Sequence, residues 1–408
     1  MLRRDLLALA GGAALLPVLV PIRVARAEAA PQRLVVVMLR GAVDGLNVVV
    51  PHGEAAYYES RPTIAIQKPG AENGALALDG RFGLHPALAA LMPLWNEKKL
   101  AFIHAAGSPD PSRSHFDAQQ FIENGTPGRA TTSDGWLNRT LAALPGARTP
   151  TDALSVGPTL PFILRGKVAV ANLPLGPNAA QPMAIDRPEV ASAFDKLYAG
   201  SDRQSQAYRQ GREARTQLVA DMASDEQKMA DNGAPPANTL PATAGRLAGL
   251  MGRDRHIRLA FASLGGWDTH VNQGSHDGQL ANRLKPLGDG LAALVAGLAQ
   301  DWDDTVVVVI SEFGRTVHEN GNRGTDHGHG TAIWVMGGRV NGGKVYGDWP
   351  GLAAAQLYQG RDLAVTTDYR HVLAMLLGRH LRLPDAAMAA IFPGMPAPKG
   401  NLGQILAV

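Results

Sequence analysis

Thr305-Val306-Val307-Val308-Val309-Ile310 runs directly into Ser311-Glu312-Phe313-Gly314-Arg315-Thr316. Six β-branched residues without polar alternation describe a strand buried on both faces, which is how strands read in parallel sheets covered by helices. Runs of a similar kind recur at Arg33 to Leu39, Leu100 to His104, Ile257 to Ser263 and Thr331 to Met336. Helical patterns separate them at His115 to Glu123, Gln204 to Asp231, Gly278 to Gln300 and Asp368 to Leu377. Strands alternating with helices predict an α/β fold with a mostly parallel central sheet flanked by helices on both faces. The least regular stretch, around residues 124–256, reads as an insertion into a single domain spanning 28–408. No solenoid or propeller repeat is present.

The first residues form a different unit. Arg3-Arg4 precede an apolar run through Ile22 and then Arg23-Val24-Ala25-Arg26-Ala27, the order of a twin-arginine signal peptide over residues 1–27 with cleavage after Ala27. The run is broken by Gly11, Gly12, Pro17 and Pro21, and it falls short of the roughly 20 residues that span a bilayer. The expectation is a transient partnership with the twin-arginine translocase during export, a periplasmic or secreted product, and no permanent membrane anchor. Residues 1–27 hold four arginines and one aspartate, which accounts for the whole formal net charge of +3. The remainder is neutral, and no nucleic-acid partner is expected. Zero cysteines exclude disulfides, thiolate metal sites and a cysteine nucleophile.

In open α/β sheets ligands bind beyond the carboxyl ends of the strands. Four of the predicted strands are followed there by polar residues. Arg40-Gly41-Ala42-Val43-Asp44-Gly45 follows the first, Arg113-Ser114-His115 stands after the second, and Gly266-Trp267-Asp268-Thr269-His270 follows the third. After the fourth come Glu312 and, a loop later, Asp326-His327-Gly328-His329. Carboxylates and imidazoles gathered from several strand ends are ligands for a divalent ion such as zinc, manganese, magnesium or calcium. Asp44, Asp268, His270, Glu312, Asp326, His327 and His329 are the candidate metal ligands.

Each has a plainer reading. Asp44-Gly45 is a turn dipeptide, Glu312 can pair with Arg315, and His52, His85, His104, His256, His371 and His380 read as structural groups. Ser114 is the candidate nucleophile or else a helix cap, and His115 a general acid or base beside the site. Arg40 and Arg113 could clamp an anion or pair with nearby acids.

Val35-Val36-Val37-Met38-Leu39-Arg40-Gly41-Ala42-Val43-Asp44-Gly45-Leu46, Arg113-Ser114-His115-Phe116, Gly266-Trp267-Asp268-Thr269-His270, Ser311-Glu312-Phe313-Gly314-Arg315 and Thr325-Asp326-His327-Gly328 together resemble domain-of-unknown-function family 1501. That family is placed within the alkaline phosphatase and sulfatase superfamily. The resemblance implies an alkaline phosphatase-like sheet with one or two divalent metals, Asp44 as the first acidic ligand and Asp268 with His270 as a later pair. Glu312-Phe313 keeps a carboxylate but lacks the neighbouring imidazole. Pro109 stands where a sulfatase carries its modifiable residue, so formylglycine chemistry is not expected. Two functions fit: an exported metal-dependent hydrolase of phosphate or sulfate esters acting on a small anionic ester, or a non-catalytic protein that binds metal or an envelope glycan.

Overall fold

Alternate side chains of the first strand, β1 (Arg33–Leu39), enter different cores. Val35, Val37 and Leu39 pack on one face of the sheet with Leu284, Leu287 and Leu291, whereas Leu34, Val36 and Met38 pack on the other with Leu137, Leu141 and Leu373. The period of two along a strand makes this division. Covering both faces explains why β1 and the Thr305 run carry no polar alternation. Each fully buried valine or leucine stabilises by roughly 1.5–3 kcal/mol.

The computed structural model describes residues 31–129, 132–146, 149–156, 160–173, 188–212, 240–398 and 402–407. The predicted signal peptide lies outside the described residues, as does most of the helix expected at Gln204 to Asp231. After β1 the main sheet uses β2 (Leu100–Gly107), β3 (Ala153–Val156), β4 (Ala171–Leu173), β5 (Leu259–Leu264), β6 (Thr305–Ser311), β7 (Thr331–Gly337), β8 (Lys344–Tyr346) and β9 (Thr367–Asp368). Their order is β8-β2-β7-β6-β1-β5-β3-β4, with β9 also on β2. Every pairing is parallel except those of β7, which runs antiparallel between β2 and β6. The fold is therefore a mixed, mostly parallel sheet. Helices α1 (His115–Asn124), α2 (Trp136–Ala143), α3 (Leu240–Arg253), α4 (Gln279–Leu298) and α5 (Tyr369–Met375) accompany it, with α3 and α4 in one core and α2 and α5 in the other. Within the irregular stretch, β3 and β4 extend the main sheet beside β5. No helix among the described residues is long and apolar enough to cross a membrane.

The reversed direction of β7 matters for the site. Because β7 runs against its neighbours, its first residue lies at the edge where they end, and the segment Asp326 to Gly330 arrives beside the exits of β1, β5 and β6. Arg315 and His327 form an isolated antiparallel bridge there. A Cβ at Gly314 would lie 1.9 Å from the Gly330 carbonyl oxygen, so this approach requires glycine.

Two further histidines are sealed in the fold. His85 and His104 are 0% and 1% exposed, and burial pushes both down to a pKa of about 4. Their folded values lie below the unfolded value near 6.5, so the unfolded chain binds more protons between these limits. Stability is full above about pH 6.5 and is lost as pH falls toward 4. Denaturant titrations at pH 7 and pH 5 should differ by roughly 2 kcal/mol for each histidine, and a flat profile would refute this assignment.

Candidate metal centre

Asp268 is presented by a turn that the sequence builds from three parts. Gly266 takes φ +93°, a left-handed conformation suited to glycine. Trp267 drops into the core at 1% exposure and donates its indole N–H to the Leu264 carbonyl at 3.0 Å. Asp268 then faces outward, with its side chain 43% exposed.

Three imidazoles turn toward one oxygen of this carboxylate. Asp268 Oδ1 lies 2.9 Å from His270 Nε2, 3.3 Å from His327 Nε2 and 3.4 Å from His115 Nε2. The two nitrogens of His270 and His327 are 3.0 Å apart. An ion bound tetrahedrally at about 2.0–2.1 Å separates its ligand atoms by about 3.3 Å. Asp268 Oδ1 stands near that spacing from each nitrogen, as do the His270 and His327 nitrogens from each other, and the ligand atoms of His115, Asp268 and His327 all lie within 4.8 Å of one another.

The opposite ring nitrogen of each histidine is occupied. His115 Nδ1 bonds Glu312 at 2.9 Å, His270 Nδ1 bonds Asp326 at 3.1 Å, and His327 Nδ1 bonds the Arg113 carbonyl at 2.7 Å. A carbonyl only accepts, so His327 donates from Nδ1. Glu312 is buried, which alone would raise its pKa, but hydrogen bonds from His115, Gln119 and the Gly41 N–H bring it below the usual range. A hydrogen bond from Asn320 and another from His270 lower Asp326. Both carboxylates are ionised acceptors, and their histidines also donate from Nδ1. In the neutral imidazoles all three Nε2 atoms therefore present lone pairs to one another and to a carboxylate. Burial holds His327 below its ordinary pKa and favours that neutral form, whereas the bond to Glu312 raises His115. His115 Nε2 is buried without a hydrogen-bond partner. This donor set fits a divalent ion, and the outer bonds are those that orient imidazole ligands.

Arg315, fully buried, donates to Asp268 Oδ1 and to the Gly41, Ala42 and Thr325 carbonyls. It holds the turn in place, and its charge lowers the Asp268 pKa against the opposing effect of burial. Phe313, where an imidazole was missing, stacks on His115 at 4.9 Å.

The remaining expected residues stand elsewhere. Asp44 is completely buried in an ion pair with Arg61, at 2.6 and 3.0 Å, and also accepts from Gln273 at 2.7 Å. Its oxygens are committed there instead of to the cluster. His329 stacks on Tyr358. Glu312 and Asp326 sit behind histidines. His115, read as an acid or base, is instead one of the converging imidazoles. Ser114 caps α1, its hydroxyl accepting from the Asp117 N–H at 3.4 Å. Arg40 pairs with Glu123 at 2.7 Å, and Arg113 pairs with the fully buried Asp362. The sequence reading also missed Arg361, which bonds Asp362 at 3.0 Å and the His327 carbonyl.

Fold and cluster together define a doubly wound α/β protein with a histidine and carboxylate centre at its strand ends. The chain belongs to the family described as "Protein of unknown function (DUF1501)", whose model matches residues 31–392. No curated protein matches it. Among solved structures it is similar, at 11% identity and a TM-score of 0.39, to Ps i-CgsB in complex with k-i-k-neocarrahexaose, over 87% of this chain and 72% of that one. It is also similar to the lipoteichoic acid synthase LtaP from Listeria monocytogenes, at 11% identity and a TM-score of 0.33, over 83% and 75%. The C-terminal periplasmic domain of EcEptC from Escherichia coli, in complex with Zn, has 12% identity and a TM-score of 0.31, over 76% and 73%. Likeness this distant carries no functional weight, and the side chains must carry the functional reading.

Proposed function

We propose that the chain is an exported, metal-dependent hydrolase of phosphate or sulfate esters, with one divalent ion held by His115, His270, His327 and Asp268. The observation that supports this most is the convergence of three imidazole Nε2 atoms on Asp268 while every Nδ1 is engaged. Imidazole donors favour zinc over manganese, calcium and magnesium, which prefer oxygen. When bound, such an ion supplies Lewis acidity toward an ester oxygen and toward water.

The chain's own residues supply the anion site. Arg113 and Arg361 share the carboxylate of Asp362, and both contact His327 through hydrogen bonds to its ring or carbonyl. Their side chains are 27% and 45% exposed, so a small anionic ester or a charged glycan can reach them. Ser114 is engaged in capping. Ser114→Ala should therefore cost about 1 kcal/mol of stability and leave turnover intact, whereas lost turnover with metal retained would restore serine as the nucleophile.

Metal binding without turnover is the second reading. If all four donors bind, they would complete a tetrahedral shell, as structural ions require, and Arg40 has no spare charge, being paired with Glu123. Elemental analysis of protein recovered from its native compartment, followed by a panel of chromogenic phosphate and sulfate esters, separates the two. Metal with turnover supports the hydrolase, metal without turnover supports the binding protein, and neither would overturn both.

A further inference from the structure

Beneath the cluster lies a buried polar network that the proposed chemistry does not use. Arg61 and Asp44 are 0% exposed, as is Gln273. Arg61 donates to the Val317 carbonyl at 2.9 Å and the Thr316 carbonyl at 2.8 Å, and so is fixed to the segment just after Arg315. Its other bonds go to Asp44 and to Asn47. Gln273 donates from Nε2 to Asp44 at 2.7 Å. Its Oε1 accepts from the hydroxyls of Thr269 at 2.6 Å and Thr325 at 3.0 Å. The negative charge of Asp44 dictates which end of the amide faces it, since reversal would set Oε1 against a carboxylate.

Those two threonines have telling neighbours. Thr269 lies between Asp268 and His270, and Thr325 directly precedes Asp326 and His327. The Thr325 N–H also donates to the Thr269 carbonyl at 3.1 Å. One side-chain amide thus grips both ligand-bearing loops from below and ties them to an ion pair with no access to solvent.

We infer that Gln273 is a positioning residue of the metal centre, transmitting the fixed place of the Asp44–Arg61 pair through Thr269 and Thr325 to His270, Asp268 and His327. The inference rests on the metal reading above. Buried polar groups are costly to leave unpaired, so the loops have one favourable arrangement. In that arrangement both hydroxyls reach the same oxygen, and the ligands are held at their binding spacing before an ion arrives.

The test uses the full chain, loaded with zinc or with cobalt as a spectroscopic probe. Thr269→Val with Thr325→Val keeps side-chain shape and removes both hydroxyls, while Thr269→Ser with Thr325→Ser keeps the hydroxyls. The valine pair should weaken metal binding about 10- to 100-fold, the usual effect of outer-shell changes, and shift the visible cobalt spectrum, while the serine pair keeps wild-type affinity and spectrum. Circular dichroism confirms that each variant is folded, and single valine variants serve if the pair is not. Unchanged affinity and spectrum in folded valine variants would overturn the inference, even if the melting temperature falls. Wild-type protein that binds neither metal would overturn the metal reading itself, and this inference with it.

Discussion

His327→Ala is expected to reduce bound divalent metal by at least a hundredfold in affinity and to remove any ester turnover. The basis is geometric. His327 Nε2 stands 3.0 Å from His270 Nε2 and 3.3 Å from Asp268, so its loss removes a central donor and not a peripheral one. Outer-shell changes alone cost 10- to 100-fold, and a direct ligand must cost at least as much. The fold should survive, because the ring is partly exposed and its Nδ1 bond to the Arg113 carbonyl joins two surface loops. Metal titration by calorimetry checks this. Wild-type affinity in the variant would exclude His327 from the centre.

Arg61→Ala is expected to destabilise the protein by about 3–5 kcal/mol, the cost of stranding one partner of a buried ion pair. Asp44 would keep only Gln273 for its charge. The carbonyls of Thr316 and Val317 would lose their donor too. Replacing both partners, Arg61→Leu with Asp44→Leu, removes the stranded charge and should recover part of the loss. Equilibrium denaturation of the three proteins measures it, and a loss below 1 kcal/mol in Arg61→Ala would contradict the role given to the pair.

The main strands were legible because sheet burial writes itself into composition. Thr305 to Ile310 and Arg33 to Leu39 have helices on both faces and no room for polar alternation. The direction of β7 was not legible, since a buried strand reads alike either way, yet this reversal brings His327 to the site. Ala153–Val156 and Ala171–Leu173 were missed because strands of three or four residues containing Ser155 and Asn172 carry too little pattern.

The site was legible in kind and less so in detail. Asp268 and His270 were visible as polar residues at a strand end behind two glycines, and His327 as part of a histidine run between glycines. His115 looked like a helix-start histidine, and only the tertiary arrangement turns its Nε2 toward Asp268. Asp44 fits a ligand pattern locally, and nothing in its neighbourhood of sequence marks Arg61 as the partner that claims it. Arg361 follows Gly360 in a loop and reaches His327 only through the fold.

X-ray absorption at the metal edge of the zinc-loaded protein tests the central claim most directly. The account predicts a first shell of nitrogen and oxygen at about 2.0–2.1 Å, with outer-shell scattering from three imidazoles. A shell containing one imidazole or none would contradict it.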